Sequence, residues 1–147
     1  MPKSANRALA AAWCAAFVLA GCGFAESKRD AEAVLNRHFQ ALAAGDIPAA
    51  LADYGTRFFQ ETTEDEWANA LTKLSQKLGT YQSHSVTSWH VSKKAGTSGS
   101  GTTVSLECQV TYARHPSKET FILFKGAGDS DYAIIAHKID ALALLTE

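Results

Sequence analysis

The sequence predicts an α+β domain in which three N-terminal helices pack on a curved, four-stranded antiparallel meander. The length of 147 residues and the hydrophobic content of 46% are typical of one globular domain. Apolar residues recur at helical spacing up to Leu78, whereas alternating segments rich in Val, Thr and aromatic residues follow Thr80. Helices that precede an antiparallel sheet cover one of its faces, which is the arrangement of the α+β class.

The first helix is predicted from Ser27, the candidate N-cap, with Asp30 as a weak capping-box acid. Gly45 ends it. Its apolar face is formed by residues at helical spacing: Ala31, Val34, Leu35, His38, Phe39 and Leu42.

Two further helices follow. Asp46 and Pro48 begin a short second helix that leads to Tyr54, and Arg57–Phe59 is predicted as an irregular link with inward aromatic side chains. Thr63 and Glu66 have capping-box spacing at the start of the third helix, which stops at Gly79. Its apolar stripe is Trp67, Ala70, Leu71, Leu74 and Leu78.

Four strands are predicted after Thr80. The first covers residues 80–92 and alternates poorly between Ser83 and Ser88, which indicates a bulge. A Gly/Ser-rich loop follows over 93–101, and the second strand alternates clearly. One of its faces is apolar (Val104, Leu106, Cys108, Val110, Tyr112) and the other polar (Ser105, Glu107, Gln109, Thr111). Arg114–Ser117 is predicted as a turn, and the remaining strands cover 118–126 and 131–140.

This order of elements resembles the cone-shaped nuclear transport factor two-like (cystatin-like) fold. The run from Trp67 to Trp89, in which a helix ends in Leu78-Gly79 and leads into a strand that carries a tryptophan, is similar to an uncharacterised family of small bacterial envelope proteins. The resemblance covers residues 28–140 and contains no catalytic signature. It implies a cone between helices and sheet that either holds a pocket or is filled by side chains.

The N-terminus has the layout of a secretory signal, predicted over residues 1–21. Lys3 and Arg7 precede an apolar run over residues 8–20, which is too short for a spanning helix. Leu19-Ala20-Gly21-Cys22 resembles the bacterial lipobox, which implies cleavage after Gly21 and acyl chains (palmitate or a similar fatty acid) on Cys22. The alternative is an ordinary secretory signal in which Cys22 is incidental.

Lipidation would hold the domain on the periplasmic side of a bacterial membrane, because two or three acyl chains anchor a protein stably. Only a short tether, residues 22–27, separates Cys22 from the domain at 28–140, and its extended reach is about 17 Å. Lys28 and Arg29 are therefore expected near the headgroups. Gly23 stands where an aspartate commonly signals inner-membrane retention, which favours the outer membrane. Residues 141–147 are predicted as a C-terminal tail.

Charge and cysteine usage exclude further classes. The net charge of −1 argues against a nucleic-acid partner. Cys14 lies in the signal and Cys22 is predicted to carry lipid, so Cys108 has no disulfide partner. Cys108 lies on an apolar strand face, where a structural thiol is expected.

The candidate pocket-lining residues are His38, Phe39, Tyr54, Trp67 and Tyr112. His38 lies on the apolar face of the first helix, where a core histidine is the preferred interpretation and contact with a ligand the alternative. Tyr54 and Tyr112 are candidate hydrogen-bond donors into the cone, although buried tyrosines commonly bond to the backbone. No catalytic residue is assigned.

No metal or other cofactor is predicted. His84 and His90 share strand parity but are too far apart to bind one ion alone, and Glu107 or His137 would have to complete the set. Residues 126–131 lack the ligands of a calcium loop, and His115 is expected in an exposed turn.

The preferred function is non-catalytic: a lipid-anchored envelope protein that binds a small apolar ligand or a partner protein at the membrane surface. One alternative, by fold analogy alone, is an accessory subunit of a secretion or envelope-assembly complex. Another is an acid/base enzyme of the ketosteroid isomerase-like or cyclase-like kind, which requires an ionisable group deep in the cone.

Overall fold

The computed structural model describes residues 15–97 and 99–146, with the side chains of residues 15–22 left aside. It has the predicted α+β class, with helices followed by a four-stranded antiparallel sheet. The helices are α1 (Ala15–Ala43), α2 (Ile47–Leu51) and α3 (Glu64–Leu78). The strands are β1 (Tyr81–Lys94), β2 (Gly101–Tyr112), β3 (Pro116–Gly126) and β4 (Ala133–Asp140), in the sheet order β1-β2-β3-β4. Two 3-10 turns, Phe58–Gln60 and Leu142–Leu144, complete the fold.

The start of α1 differs from the prediction. The helix begins at Ala15 and runs without interruption through Ser27, so Ser27 is not its N-cap. The hydroxyl of Ser27 instead donates to the carbonyl of Gly23, one turn earlier, at 2.8 Å. Residues 23–27 are therefore helical and span about 7.5 Å at the helical rise of 1.5 Å per residue. The segment predicted as a short tether is helical and belongs to α1.

The signal segment is predicted over residues 1–21, of which residues 1–14 lie outside the described residues, as do the side chains of residues 15–22. Within the part that is described, no helix combines the length and apolar character needed to cross a membrane.

The helix ends confirm the predicted capping. Asp46 caps α2 by accepting from the amide of Ala49 at 3.1 Å. Thr63 and Glu66 form a complete capping box at the start of α3. Gly45 and Gly79 follow α1 and α3 with φ values of +70° and +89°. These left-handed conformations suit glycine because it has no Cβ.

Three bulges set the faces of the sheet. In β1, Gln82 and Thr87 have no partner on β2, and in β4 Ile135 has none on β3. Each extra residue inverts the alternation of side chains beyond it. The bulge expected between Ser83 and Ser88 is thus confirmed at Thr87. The bulges at Gln82 and Ile135 were not expected.

The core lies between the helices and the inner face of the sheet. The predicted apolar face of β2 is buried, and so is the predicted stripe of α1 from Ala31 to Leu42. Trp67, Phe58 and Phe59 are partly buried against this core. Strand β3 begins at Pro116, two residues earlier than predicted, which places Ser117 inside the sheet. The C-terminal tail contributes Ala143 and Leu144 to the edge of the core.

We expect Gly79→Ala to lower the free energy of unfolding by more than about 1 kcal/mol, because it combines a left-handed backbone with a clash. A Cβ at this position would lie 3.0 Å from both the Ala113 Cβ and the Arg114 amide nitrogen. Gly45→Ala has the same kind of φ but open space, and Gly128→Ala has neither problem.

Urea unfolding followed by circular dichroism should therefore rank the losses as Gly79→Ala, then Gly45→Ala, then Gly128→Ala. Equal stability of the three variants would contradict this account of the α3–β1 junction.

Candidate functional site

The interior of the domain contains a buried carboxylate, Glu119, on the inner face of β3. Its side chain has no exposed surface. One oxygen, Oε1, accepts hydrogen bonds from the hydroxyls of Tyr112 at 2.7 Å and Ser117 at 2.6 Å. The other, Oε2, lies 2.8 Å from Nε2 of His137 on β4. Three donors from three consecutive strands therefore converge on a single carboxylate.

His137 continues this network to the other side of the interior. Its Nδ1 lies 2.8 Å from the hydroxyl of Tyr54, the residue at the end of the segment that follows α2. An ionised carboxylate only accepts, so Nε2 of His137 donates to Glu119. Nδ1 accepts from the Tyr54 hydroxyl when the ring is neutral and donates to it when the ring is charged. The result is a chain of hydrogen bonds from Tyr54 through His137 to Glu119.

The bulge at Ile135 makes this chain possible. Ile134 pairs with Leu123, and His137 pairs with Phe121, so both lie on the inner face although they are three residues apart. A regular strand would turn one of them outward. The ring of His137 stacks on that of Phe121, with centroids 4.0 Å apart.

The pKa values of the network follow from burial and hydrogen bonding. Burial alone raises the pKa of Glu119, but the hydrogen bond and charge of His137, with the hydroxyls of Ser117 and Tyr112, outweigh it and leave the pKa below its usual value. Burial is the main cause that raises the pKa of Tyr54 and of Tyr112. Glu119 is therefore the ionised member, and the tyrosines remain neutral donors.

His38 lies beside this network on α1 and is completely buried, as expected for a core histidine. Its Nδ1 lies 3.2 Å from the carbonyl oxygen of Ala50, which identifies Nδ1 as the donor. Its Nε2 is buried and has no hydrogen-bond partner among the described residues. Burial, with a smaller effect of the charge on His137, lowers the pKa of His38 to about 3.

The five predicted pocket-lining residues all contribute to this interior. His38, Tyr54 and Trp67 surround the ring of His137, with ring centroids within 6.2 Å of it. Phe39 stacks on Tyr81, and Tyr112 bonds to Glu119. The surface clefts described around these residues are lined by other side chains, and one of about 590 Å³ is bordered by Phe58 and His137. The interior is thus filled by packed rings around the polar network.

The structure separates the residues considered for a metal site. The bulge at Thr87 places His84 and His90 on opposite faces, since His84 pairs with buried Val110 and His90 with Ser105 of the outer face. The expectation that the two histidines share a face is therefore wrong. Glu107 lies outside and bonds to Lys118, whereas His137 lies inside. No group of three or more potential ligands able to hold a metal ion occurs within residues 15–97 and 99–146.

Two other side chains lie where the sequence indicated. Cys108 is a free, buried thiol, and burial raises its pKa to about 12, which makes it unreactive. His115 is exposed in the turn between β2 and β3. Cys108 is thus part of the core packing.

Asp53, next to Tyr54, belongs to a separate contact. The guanidinium of Arg37 donates to it at 2.7 Å and also reaches Asp131 at 3.3 Å. This bridge holds α1 against the segment after α2 and the turn before β4. It therefore supports the position of Tyr54 without entering the polar network.

Sequence reasoning missed Glu119 and Ser117 and placed His137 only as a possible metal ligand. The parity of Glu119 with Phe121 and Leu123 was the available signal, but Ile122 and Phe124 give the opposite face of β3 an apolar character as well. Alternation alone therefore does not identify the inner face of this strand.

Comparisons of the chain with models of known families, with curated proteins and with solved structures found no match.

We expect Glu119→Ala to lower the free energy of unfolding by about 3–5 kcal/mol, because it leaves His137, Tyr112 and Ser117 without their shared acceptor. Glu107→Ala is the matched control, since Glu107 pairs with Lys118 at the surface. A surface ion pair of this kind contributes at most about 1 kcal/mol to the free energy of unfolding. Chemical denaturation of both variants measures the difference. Similar small losses would show that the buried network does not stabilise the fold.

His38 should make stability depend on pH. Its folded pKa of about 3 is below the ordinary value of 6.5. The free energy of unfolding is therefore not reduced by His38 above pH 6.5, and it falls as the pH drops towards 3 because the unfolded state binds the proton more strongly. The expected slope is about 1.4 kcal/mol per pH unit.

In His38→Asn, which retains a donor near Ala50, this slope should disappear between about pH 6 and pH 4.5. Both pH values lie between the ordinary and the folded pKa of His38. Denaturation curves at several pH values measure it in both chains. The difference between the two chains isolates His38 from His137 and Glu119, which face it. Parallel pH profiles would contradict the assignment.

Proposed function

We propose that the protein is a non-catalytic, lipid-anchored domain of the bacterial cell envelope that binds a partner protein at the membrane surface, on a nuclear transport factor two-like fold. The observation that carries the proposal is the filled interior. On a cone-shaped fold, a ligand-binding protein or enzyme needs an open cavity between helices and sheet. Here that space holds buried rings and a saturated Glu119 carboxylate, so binding is left to the surface.

The outer face of the sheet offers a suitable surface. The side chains of β2 on this face are polar, whereas β3 and β4 contribute three partly exposed apolar side chains: Ile122, Phe124 and Ile135. A cleft of about 470 Å³ is lined by Phe124 and Ile135, and the guanidinium of Arg57 lies 5.6 Å from the Phe124 ring centroid at its edge. An apolar centre beside polar and arginine side chains is typical of protein interfaces.

The N-terminal sequence supports the proposed lipid anchor. The lipobox-like Leu19–Cys22 follows an apolar run, and α1 begins before Cys22 and enters the domain directly. A domain held this way stays within a few helical turns of the leaflet. It would meet partners that are themselves membrane-bound, which is also what an accessory subunit of an envelope complex requires.

One observation favours the enzyme alternative. Carboxylate, imidazole and hydroxyl follow one another from Glu119 through His137 to Tyr54, the order found in many acid/base sites. The side chains of Glu119 and His137 have no exposed surface, and Phe58 and Trp67 pack against Tyr54. A substrate would have to displace these rings to reach the hydrogen-bonded side chains of Tyr54, His137 and Glu119.

The two functions are separated by paired variants tested in cells that depend on the protein. Tyr54→Phe removes one hydroxyl and keeps the ring, so function should persist if the network is structural. Ile122→Lys together with Phe124→Ser alters only the outer face and should abolish function. Loss of function in Tyr54→Phe at normal protein levels, with the outer-face variant active, would reverse the assignment.

The partner itself is tested by a photo-crosslinking amino acid at position 122 in intact cells. We expect one adduct of defined mass, lost in Cys22→Ser because the chain no longer reaches the membrane surface. A crosslinker at position 115, in the turn between β2 and β3, is the control. Absence of any adduct at 122, or an apolar molecule retained in native mass spectrometry, would contradict partner binding through the outer face.

A further inference from the structure

Two large aromatic side chains are exposed at the end of the domain where α1 enters it. Phe24 on α1 is 41% exposed and Trp89 on β1 is 47% exposed. The bulge at Thr87 turns Trp89 to the side of the sheet that faces α1, because Trp89 pairs with buried Leu106. Helix α1 only partly covers this edge strand, so both rings remain in contact with solvent.

Each ring is accompanied by a lysine. Nζ of Lys28 lies 5.8 Å from the centroid of Trp89, and Nζ of Lys93 lies 5.2 Å from the centroid of Phe24. Lys28 also pairs with Glu32 at 2.6 Å, whereas Lys93 is exposed. We call Phe24, Lys28, Trp89 and Lys93 the aromatic–lysine surface.

This surface lies directly beside the predicted lipidation site. A Cβ built on Gly23, the residue after Cys22, would be 3.0 Å from Nζ of Lys93. Cys22, Phe24 and Lys28 belong to one uninterrupted helix, so Phe24 is about 3 Å and Lys28 about 9 Å along the axis from position 22. The surface therefore cannot move far from whatever holds Cys22.

We propose that the aromatic–lysine surface binds the headgroup region of a phospholipid leaflet and fixes the orientation of the domain on the membrane. This inference rests on the proposed lipid anchor at Cys22. Tryptophan places an apolar ring and a polar N–H at the boundary between acyl chains and headgroups, and lysine extends an apolar stem with a charged end. These side chains beside an acylated residue match the chemistry of that boundary.

The surrounding charges favour an anionic leaflet. Lys93 and Lys94 line one cleft with Lys125 next to Gly23, and Arg29 is exposed on α1. Glu26 and Asp30 lie in the same cleft and reduce the local positive charge. Amines attract anionic headgroups when they lie within a Debye length of the surface.

The docked orientation has a geometric consequence for the proposed partner site. The aromatic–lysine surface faces the same side of the sheet as α1, whereas Ile122 and Phe124 face the opposite side. A domain that rests on the first surface leaves the outer sheet face directed away from α1 and free for a partner.

The test uses Trp89 as a depth probe in the lipidated chain, purified from membranes and placed in vesicles of phosphatidylethanolamine and phosphatidylglycerol. Cleavage after Gly21 removes Trp13, so Trp67→Phe leaves Trp89 as the single tryptophan. We expect its emission to shift to shorter wavelength and to be quenched when the acyl chains carry bromine. Lys93→Glu should reduce the quenching, and more strongly as the share of phosphatidylglycerol increases.

The matched control moves the probe to the outer face, with Trp89→Phe and Gln109→Trp, where bromine should not quench. If Trp67→Phe does not fold, fluorine NMR of 5-fluorotryptophan in the unaltered chain resolves Trp89 separately, with the same expected response to the vesicles.

Three results would overturn the inference in different ways. If Trp89 remains accessible to acrylamide while the protein stays with the vesicles, the anchor exists but the surface does not dock. If Trp89 is protected in native membranes and accessible in protein-free vesicles, a protein covers this surface. If Cys22 is unmodified and the protein does not associate with vesicles, the proposed anchor and the docking both fail.

Discussion

The buried carboxylate of Glu119 is the constraint around which the interior is organised. A charge removed from water is tolerated only when donors replace the lost solvent, and here Tyr112, Ser117 and His137 supply them from three consecutive strands. Because donors on separate strands must meet one carboxylate, the register of β2, β3 and β4 is tied to that site. Apolar packing alone would tolerate small shifts that this network does not.

The limits of sequence reasoning coincide with the bulges. Helix ends were predictable from local chemistry at Asp46, Thr63 and Gly79, because a cap acts within a few residues of its own position. The alternation of β2 was equally clear, since only one of its faces is apolar. The bulges at Gln82 and Ile135 left no such local signal, and each one inverts every residue beyond it.

The same limit explains the parts of the interior that were and were not anticipated. His38 and Tyr112 lie on elements with an unambiguous apolar face, and their inward position followed from periodicity. Glu119 lies on a strand that is apolar on both faces, and His137 lies beyond a bulge. The start of α1 was also misplaced, because Ser27 has a capping residue's chemistry but donates to Gly23 within a continuing helix.

The bulges at Thr87 and Ile135 also determine which side chains of the two edge strands face the interior and which face solvent. The bulge at Ile135 turns His137 inward, where it completes the network and closes the space that a ligand would need. The bulge at Thr87 turns Trp89 and Lys93 towards α1, beside the residue predicted to carry lipid, and leaves His90 on the opposite face. A one-residue insertion costs little stability when it lies in an edge strand, and both β1 and β4 are edge strands. The central strands can then keep a regular ladder around Glu119 while the bulges in the edge strands determine which of their side chains face the helices and which face the opposite side of the sheet.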